Sequence, residues 1–277
     1  MKIGAIIQAR TSSTRLPEKV LKNLPCNHNI TVLEQVIRRL KRSEKLDDII
    51  IATTTDENDK KIIDIAEKEK ITWFRGSKEN VLERYYLAAK ENELDVIVRI
   101  TSDCPCVDPD IVDFLLENHL KNKGDYTSNT MLRTFPVGLD VEVISFEALK
   151  TCYYNSDTDL EKEHVTSYIH HNLSQFKTDN LISNEEDMSQ VRITLDTEED
   201  YTLLCAVFDY LYEENELFKY YDIISLFKNK PWLKNINKKI MAKKSFETLE
   251  DELDEALHIL EMQELNNAKE ILEKSMK

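Results

Sequence analysis

Four short apolar runs near the amino end, separated by stretches of helical spacing, restrict this chain more than any other feature. KIGAIIQ (2–8), DIIIATT (48–54), ITWFRG (71–76) and DVIVRIT (95–101) are rich in β-branched residues and bounded by polar or turn residues. That is the pattern of buried strands. Between them, 32–42, 58–68 and 80–91 carry apolar residues at helical intervals. Strands that recur after helix-length connections pair in parallel, because a parallel pair needs a crossover of a dozen residues or more. The alternation predicts an α/β fold, a parallel sheet with helices on both faces. Such sheets hold ligands at the carboxyl ends of their strands.

The rest of the chain extends the pattern less regularly. A helix is expected over 110–121, with Asp108 or Pro109 near its start, a strand over GLDVEVIS (138–145) and a helix over 161–172. QVRITLD (190–196) reads as another strand, after which Thr197 caps a helix with Asp200 three residues on, close to a capping box. The pattern lapses at 230–237, and 245–275 reads as one or two amphipathic helices whose apolar stripe would be buried or would dimerise. The expected organisation is a core over 1–237 and a helical extension over 238–277, in a homodimer.

Charge narrows the ligand. The chain of 277 residues carries a net −15, yet residues 1–45 hold ten Lys/Arg and three Glu, a local +7 that leaves −22 on the rest. This balance argues against nonspecific binding to nucleic acid and suits a small polyanion. RRLKRSEK (38–45) reads for the most part as a solvated basic helix. Arg10, Arg15 and Lys19, set among Thr11, Ser12, Ser13 and Thr14 just after the first strand, do not. Only four glycines occur, Gly4, Gly76, Gly124 and Gly138, so neither GxGxxG nor GxxxxGK[ST] can be written. A chain without those backbone cradles must grip phosphates with side chains, Arg as a fork and Lys as a point charge. The loop is therefore expected to hold a triphosphate.

Five scattered cysteines without a CxxC pair suggest neither a disulfide framework nor a zinc site, and CPC (104–106) reads as two small residues in a tight loop. No apolar run reaches the roughly 18 residues of a membrane span. MKIGAIIQAR lacks the apolar length and cleavage site of a secretory signal, so a cytoplasmic protein without membrane contact is expected.

QARTSSTRLPEKVL (8–21) resembles the amino-terminal signature of the cytidylyltransferase family that includes CMP-sugar synthetases, and within it the SpsF-like branch of spore-coat polysaccharide biosynthesis. GSKENVLERYYLAA (76–89), VRITSDCPCVDPDIV (98–112), FPVGLDVEVISFEAL (135–149), EKEHVTSYI (161–169) and VRITLDTEEDYTLL (191–204) match in the same order. The likeness covers about 1–235. The family usually has glycine at Ser12, often glycine at Glu18, and commonly aspartate at Asn80. The resemblance implies a three-layer, mostly parallel sheet of the nucleotide-diphosphosugar transferase (GT-A-like) type, with a C-terminal helical extension. It implies nucleotidyl transfer: an acceptor oxygen attacks the α-phosphorus of a nucleoside triphosphate, CTP in this family, and pyrophosphate leaves. The acceptor would be a sugar or sugar acid.

Such a reaction asks the protein to align its partners and neutralise charge. Mg²⁺ suits it, held by one or two carboxylates with phosphate oxygens and water. Asp103 and Asp196 each follow an apolar run and resemble the family's metal-binding aspartates. By the same resemblance Ala9, Arg10, Thr11, Ser12, Arg15 and Lys19 bind the nucleotide, with Arg10, Lys19, Asp103 and Asp196 catalytic. Ala52, Thr53, Thr54, Ser77 and Arg84 lie where the family reads the base. Asp140 and Glu142, at i and i+2 on one strand face, and His164 are assigned to the acceptor. A glycosyltransferase of the same architecture would use an Asp-x-Asp motif, for which DPD (108–110) and DTD (157–159) are formal matches. A non-catalytic partner protein is the other rival.

Overall fold

The structure, a computed structural model, describes residues 1–240 and 249–276. It comprises two compact units, Met1–Ile240 and Met241–Lys277. The first begins β1 (Ile3–Gln8), α1 (Val32–Leu40), β2 (Asp48–Thr54), α2 (Lys60–Lys68), β3 (Thr72–Gly76), α3 (Val81–Glu91) and β4 (Val96–Thr101), as the alternation requires. It continues through α4 (Pro109–Asn122), β5 (Tyr126–Ser128), β6 (Glu142–Ser145), α5 (Phe146–Asn155), α6 (Asp159–Glu163), α7 (Ser167–His171), β7 (Thr178–Asn180), α8 (Glu198–Leu211) and α9 (Tyr220–Asn229). The second unit contains α10 (Leu249–Met262) and α11 (Asn266–Ser275), the amphipathic helices expected there, bridged by Lys269 and Glu261 at 3.1 Å.

The strands form one seven-stranded sheet in the order β3-β2-β1-β4-β6-β5-β7. β6 is antiparallel to both neighbours, while the other described pairings are parallel. Side chains that alternate along each strand supply two cores. Ala5, Ile7, Ile51, Val98 and Val143 join one buried cluster, with residues of α1, α4, α8 and α9. Ile6, Ile50, Ile97 and Ile144 join the other, with residues of α3 and α5. Three helices are started by threonines: Thr31, Thr158 and Thr197 cap α1, α6 and α8 in full capping boxes. The strand order reverses between β1 and β4, so the loops that leave their carboxyl ends open side by side.

Several expectations need correction. Residues 190–196 are not a sheet strand. Val191, Ile193 and Leu195 are buried in alternation, but the segment makes only one bridge, Val137 to Arg192, and otherwise pairs with loops. Gly138 allows this approach: its φ is +109°, and a Cβ there would lie 2.7 Å from the Ile193 backbone. The strand expected over 138–145 is confined to 142–145, and the helix expected over 161–172 breaks at 164–166, where Val165 has φ 50°. β5, β7, α5 and α9 were not foreseen. Arg39 does not share the solvated face expected of 38–45: it is buried, donates from Nε to Val107 O at 2.7 Å and lies over the Phe218 ring. Cys26 and Cys205, 179 residues apart, are disulfide-bonded, against the expectation drawn from spacing.

Candidate active site

The loop after β1 folds around one carbonyl. Ala9 N donates to Ala52 O at 3.1 Å, seating the loop on β2. Thr11 O then accepts from Ser13 N and Glu18 N, both at 3.0 Å, which closes 11–18 into a compact turn. Thr11 itself is buried; its amide and hydroxyl both donate to Asp59 Oδ1 at 2.7 Å. Asp59 also accepts from the Thr54 hydroxyl, so the loop is tied to the carboxyl end of β2. Arg10, Ser12 and Arg15 stand on the exposed outer side. Glu18 takes a left-handed conformation, φ 52° and ψ 25°, which explains in physical terms why glycine suits this position. The chain then enters a 3₁₀ turn, Lys19–Leu21, which directs Lys19 back across the sheet's end.

Two acidic loops meet that lysine. Lys19 Nζ lies 2.5 Å from Asp103 Oδ2 and 2.8 Å from Asp196 Oδ1, although 84 and 177 residues separate them. The acidic loops are joined to each other, Leu195 N donating to Asp103 O at 2.9 Å and Thr194 Oγ1 at 3.2 Å. Arg15 Nη2 reaches Asp196 Oδ2 at 3.1 Å, and the Arg192 guanidinium donates to the same oxygen. Burial alone would raise the Asp196 carboxyl and lower the Lys19 ammonium. Their mutual attraction, with Arg192, overrides burial: Asp196 falls to about 2 and Lys19 rises. One carboxylate oxygen from each aspartate thus converges on a single cation, the arrangement a divalent ion also needs. Among the described residues no group of three or more His, Cys, Asp or Glu could hold a metal. Any metal here would complete its sphere with ligand oxygens and water.

The other candidates are distributed around this centre. Ser77 O accepts from Arg84 Nη1 at 2.7 Å, and Ser77 Oγ accepts from Asn80 N at 3.0 Å. Arg84 is buried, and burial, then the nearby Arg10 charge, lower its pKa. Thr53 Oγ1 and Arg84 Nε are buried without a hydrogen-bond partner among the described residues. Asp140 and Glu142 do not share a strand face, since Asp140 precedes the ladder. Arg133 grips Asp140 with both terminal nitrogens, at 2.5 and 3.0 Å. Glu142 is buried in an ion pair with Arg99 and accepts from Tyr126 OH at 2.5 Å and Thr166 Oγ1 at 2.9 Å. His164 ends α6, and its carbonyl accepts from Thr166 Oγ1 at 3.3 Å. The Asp-x-Asp matches serve as helix starts: Asp108 caps α4 and accepts from Tyr220 N at 2.7 Å, and Thr158 caps α6. Cys104 and Cys106 are buried free thiols, Cys106 pushed up to about 12 by burial. Sequence reasoning missed Arg192, Arg133 and Arg99, which hold these carboxylates; only Asp200, as the third residue of a capping box, left a local signal.

A mostly parallel α/β sheet with a cationic loop facing two convergent carboxylates at its switch point defines a phosphate-handling transferase. Comparison with known proteins makes that specific. The cytidylyltransferase family profile matches residues 4–274. The chain is 40% identical over 261 residues to an uncharacterised protein of Methanocaldococcus jannaschii, covering 91% of this chain and 100% of that one. It is 34% identical over 206 residues to the spore coat polysaccharide biosynthesis protein SpsF of Bacillus subtilis, covering 73% and 85%. The structure of a cytidylyltransferase from Leptospira borgpetersenii superposes with a TM-score of 0.80 at 34% identity, over 88% of this chain and 100% of that one. The chain belongs to the cytidylyltransferase family and is a nucleotidyltransferase. Among the described residues no helix is long and apolar enough to cross a membrane.

Proposed function

We propose that this chain transfers CMP from CTP to a sugar or sugar-acid acceptor, releasing pyrophosphate, in the assembly of a surface glycan. The observation that carries the reading is Lys19 held between Asp103 and Asp196 beside Arg15. Arg10, Arg15 and the hydroxyl of Ser12 face outward from a loop whose backbone is fixed by Thr11, so they can meet a triphosphate without reorganising the turn. Lys19 contributes a half-buried positive charge where negative charge develops on the α-phosphate and on the departing pyrophosphate. A divalent ion, Mg²⁺ in the first instance, would sit with Asp103 and Asp196 and neutralise phosphate charge there.

The base falls to the carboxyl ends of β2 and β3, where Ala52, Thr53, Thr54, Ser77 and Arg84 gather. A buried hydroxyl left without a partner costs about 1–3 kcal/mol, which a ligand group could relieve at Thr53. Asp140, Glu142 and His164 line the acceptor side, where the arginine-paired carboxylates Asp140 and Glu142 give it a rigid wall. The protein works as a homodimer. The deciding experiment incubates the chain with Mg²⁺, each of the four common nucleoside triphosphates and a panel of sugar acids and sugar phosphates, and measures pyrophosphate. Release with CTP and one acceptor class is expected. Release with none, together with turnover of a preformed nucleotide sugar, would replace this reading by a glycosyltransferase.

A further inference from the structure

Asp196 has two carboxylate oxygens with different surroundings. Oδ1 faces Lys19, whereas Oδ2 is held by Arg192 and Arg15. Arg192 is in turn held by Asp200, whose side chain is fully buried. Arg192 Nε donates to Asp200 Oδ1 at 3.0 Å and Nη2 to Oδ2 at 3.1 Å. Asp200 Oδ2 also accepts the backbone amides of Asp196 and Thr197, at 3.0 and 3.2 Å. The remaining donor comes from the far end of the unit. Asn237, itself buried, donates from Nδ2 to Asp200 Oδ1 at 2.8 Å and to Arg192 O at 2.9 Å. Both hydrogens of one amide are thereby used, one on the carboxylate that holds Arg192 and one on the backbone of Arg192 itself.

We infer that Asn237 is a positioning residue for the reaction, fixing through Asp200 and Arg192 which oxygen of Asp196 is presented to a divalent cation. The inference rests on the reading of Asp196 as a metal ligand. Asn237 touches neither Asp103 nor Lys19 in any described contact, so its effect is confined to Asp196. Without its amide, Asp200 Oδ1 keeps Arg192 Nε alone, and the Arg192 backbone loses a donor at the same time. Asp200 Oδ2 still holds Arg192 and is still held by the amides of Asp196 and Thr197, so the guanidinium is loosened and not released, and the Asp196 carboxylate is less firmly fixed in the orientation that presents Oδ1. Partners one step behind a metal ligand characteristically change metal affinity by about 10–100-fold when removed.

The test uses the full chain with CTP and no acceptor, so that nothing turns over. Mn²⁺ binding is read from loss of the free-ion EPR signal against an enzyme-free CTP blank. Asn237→Leu keeps the branched shape, with somewhat larger methyl groups, and removes both donor hydrogens; Asn237→Ala removes them without adding bulk and serves if the leucine variant does not fold. Each is expected to weaken Mn²⁺ by about tenfold or more. The half-saturating metal in turnover should rise alongside it, while KM for CTP at saturating metal stays within about twofold. A folded variant that binds Mn²⁺ within about twofold of the unaltered chain overturns the inference. Asp196→Asn in the same assay separates the two ideas. If Asp196→Asn loses Mn²⁺ and the Asn237 variants do not, only the positioning role fails. If Asp196→Asn binds Mn²⁺ normally, the metal-ligand reading falls and the inference with it.

Discussion

At the scale of single residues, Lys19 does two jobs that compete. Its ammonium neutralises Asp103 and shares the neutralisation of Asp196 with Arg15 and Arg192. A metal held as proposed by Asp103 and Asp196 would need the same two oxygens that Lys19 occupies, so the lysine would compete with it until a triphosphate drew the ammonium away. Replacing it with methionine should therefore tighten Mn²⁺ binding in the absence of nucleotide while cutting turnover by about 10²-fold, a magnitude typical of losing one preorganised charge. Calorimetric Mn²⁺ titration of the free protein would show it, and weaker binding in Lys19→Met would exclude the competition. The pH behaviour follows from the same pair. Asp196, depressed to about 2, contributes stability present above the ordinary carboxylate pKa of 3.8 and lost as pH falls through about 2. Lys19, raised above 10.5, contributes stability fully present below that value and lost at higher pH. Neither group changes charge between pH 7.5 and 9, so KM for CTP measured across that range should be flat to within about twofold. A steep change would mean that another group controls binding. Arg15 and Lys19 stand out in sequence as cations set among hydroxyls just after an apolar run, whereas Asp103 and Asp196 stand out only through the family resemblance, since an aspartate after a strand alone reads equally as a turn or cap acid. Asn237 does not stand out, because its partners lie 37 and 45 residues away, and Arg192 does not, because a run read as a strand hides its turn toward Asp196 and Asp200.

At the scale of elements, the insertion of β6 between β4 and β5 in the opposite direction decides where the acids go. Its pairing sets Arg99 directly opposite Glu142, and the two form an ion pair inside the sheet layer. Breaking a buried pair from one side leaves a charge unmatched, at about 3–5 kcal/mol. Glu142→Leu should thus lower unfolding free energy by that amount in urea titration. Adding Arg99→Leu should restore part of the loss. It should not restore all, since Tyr126 OH and Thr166 Oγ1 also donate to Glu142. Additive losses would argue that the pair is not coupled. The first four strands were legible because each is a run of β-branched residues flanked by turns. β5 and β7 are three residues each, YTS and TDN, too short and too polar to show a period. The alternation at 190–196 is real in burial and misleading in hydrogen bonding. Its inward residues fill the core while its backbone binds the 137 loop and the Asp103 carbonyl.

At the scale of the whole molecule, every residue assigned to the site, from Ala9 to Asn237, lies in the first compact unit. The second unit exposes Leu249, Met262, Leu265 and Ile271. Apolar side chains at that density on two short helices are more than a surface needs, and they suit association of copies better than chemistry. A chain ended after Ile240 retains Asn237 and its bonds to Asp200 and Arg192, and also the backbone bond from Ile240 N to Asn237 O at 2.9 Å. It is expected to release pyrophosphate from CTP within about threefold of the full-length rate, because none of the groups that neutralise or align charge has been removed. If the proposed homodimer forms through the second unit, the full chain sediments as a dimer and the truncated one as a monomer. A dimer that survives the truncation would place the association surface in the first unit. A rate that collapses while the fold persists would mean that 241–277 contributes to catalysis. Ending the chain after Ile236 instead removes Asn237 as well. The metal requirement should rise between these two truncations, not between the full chain and the longer one.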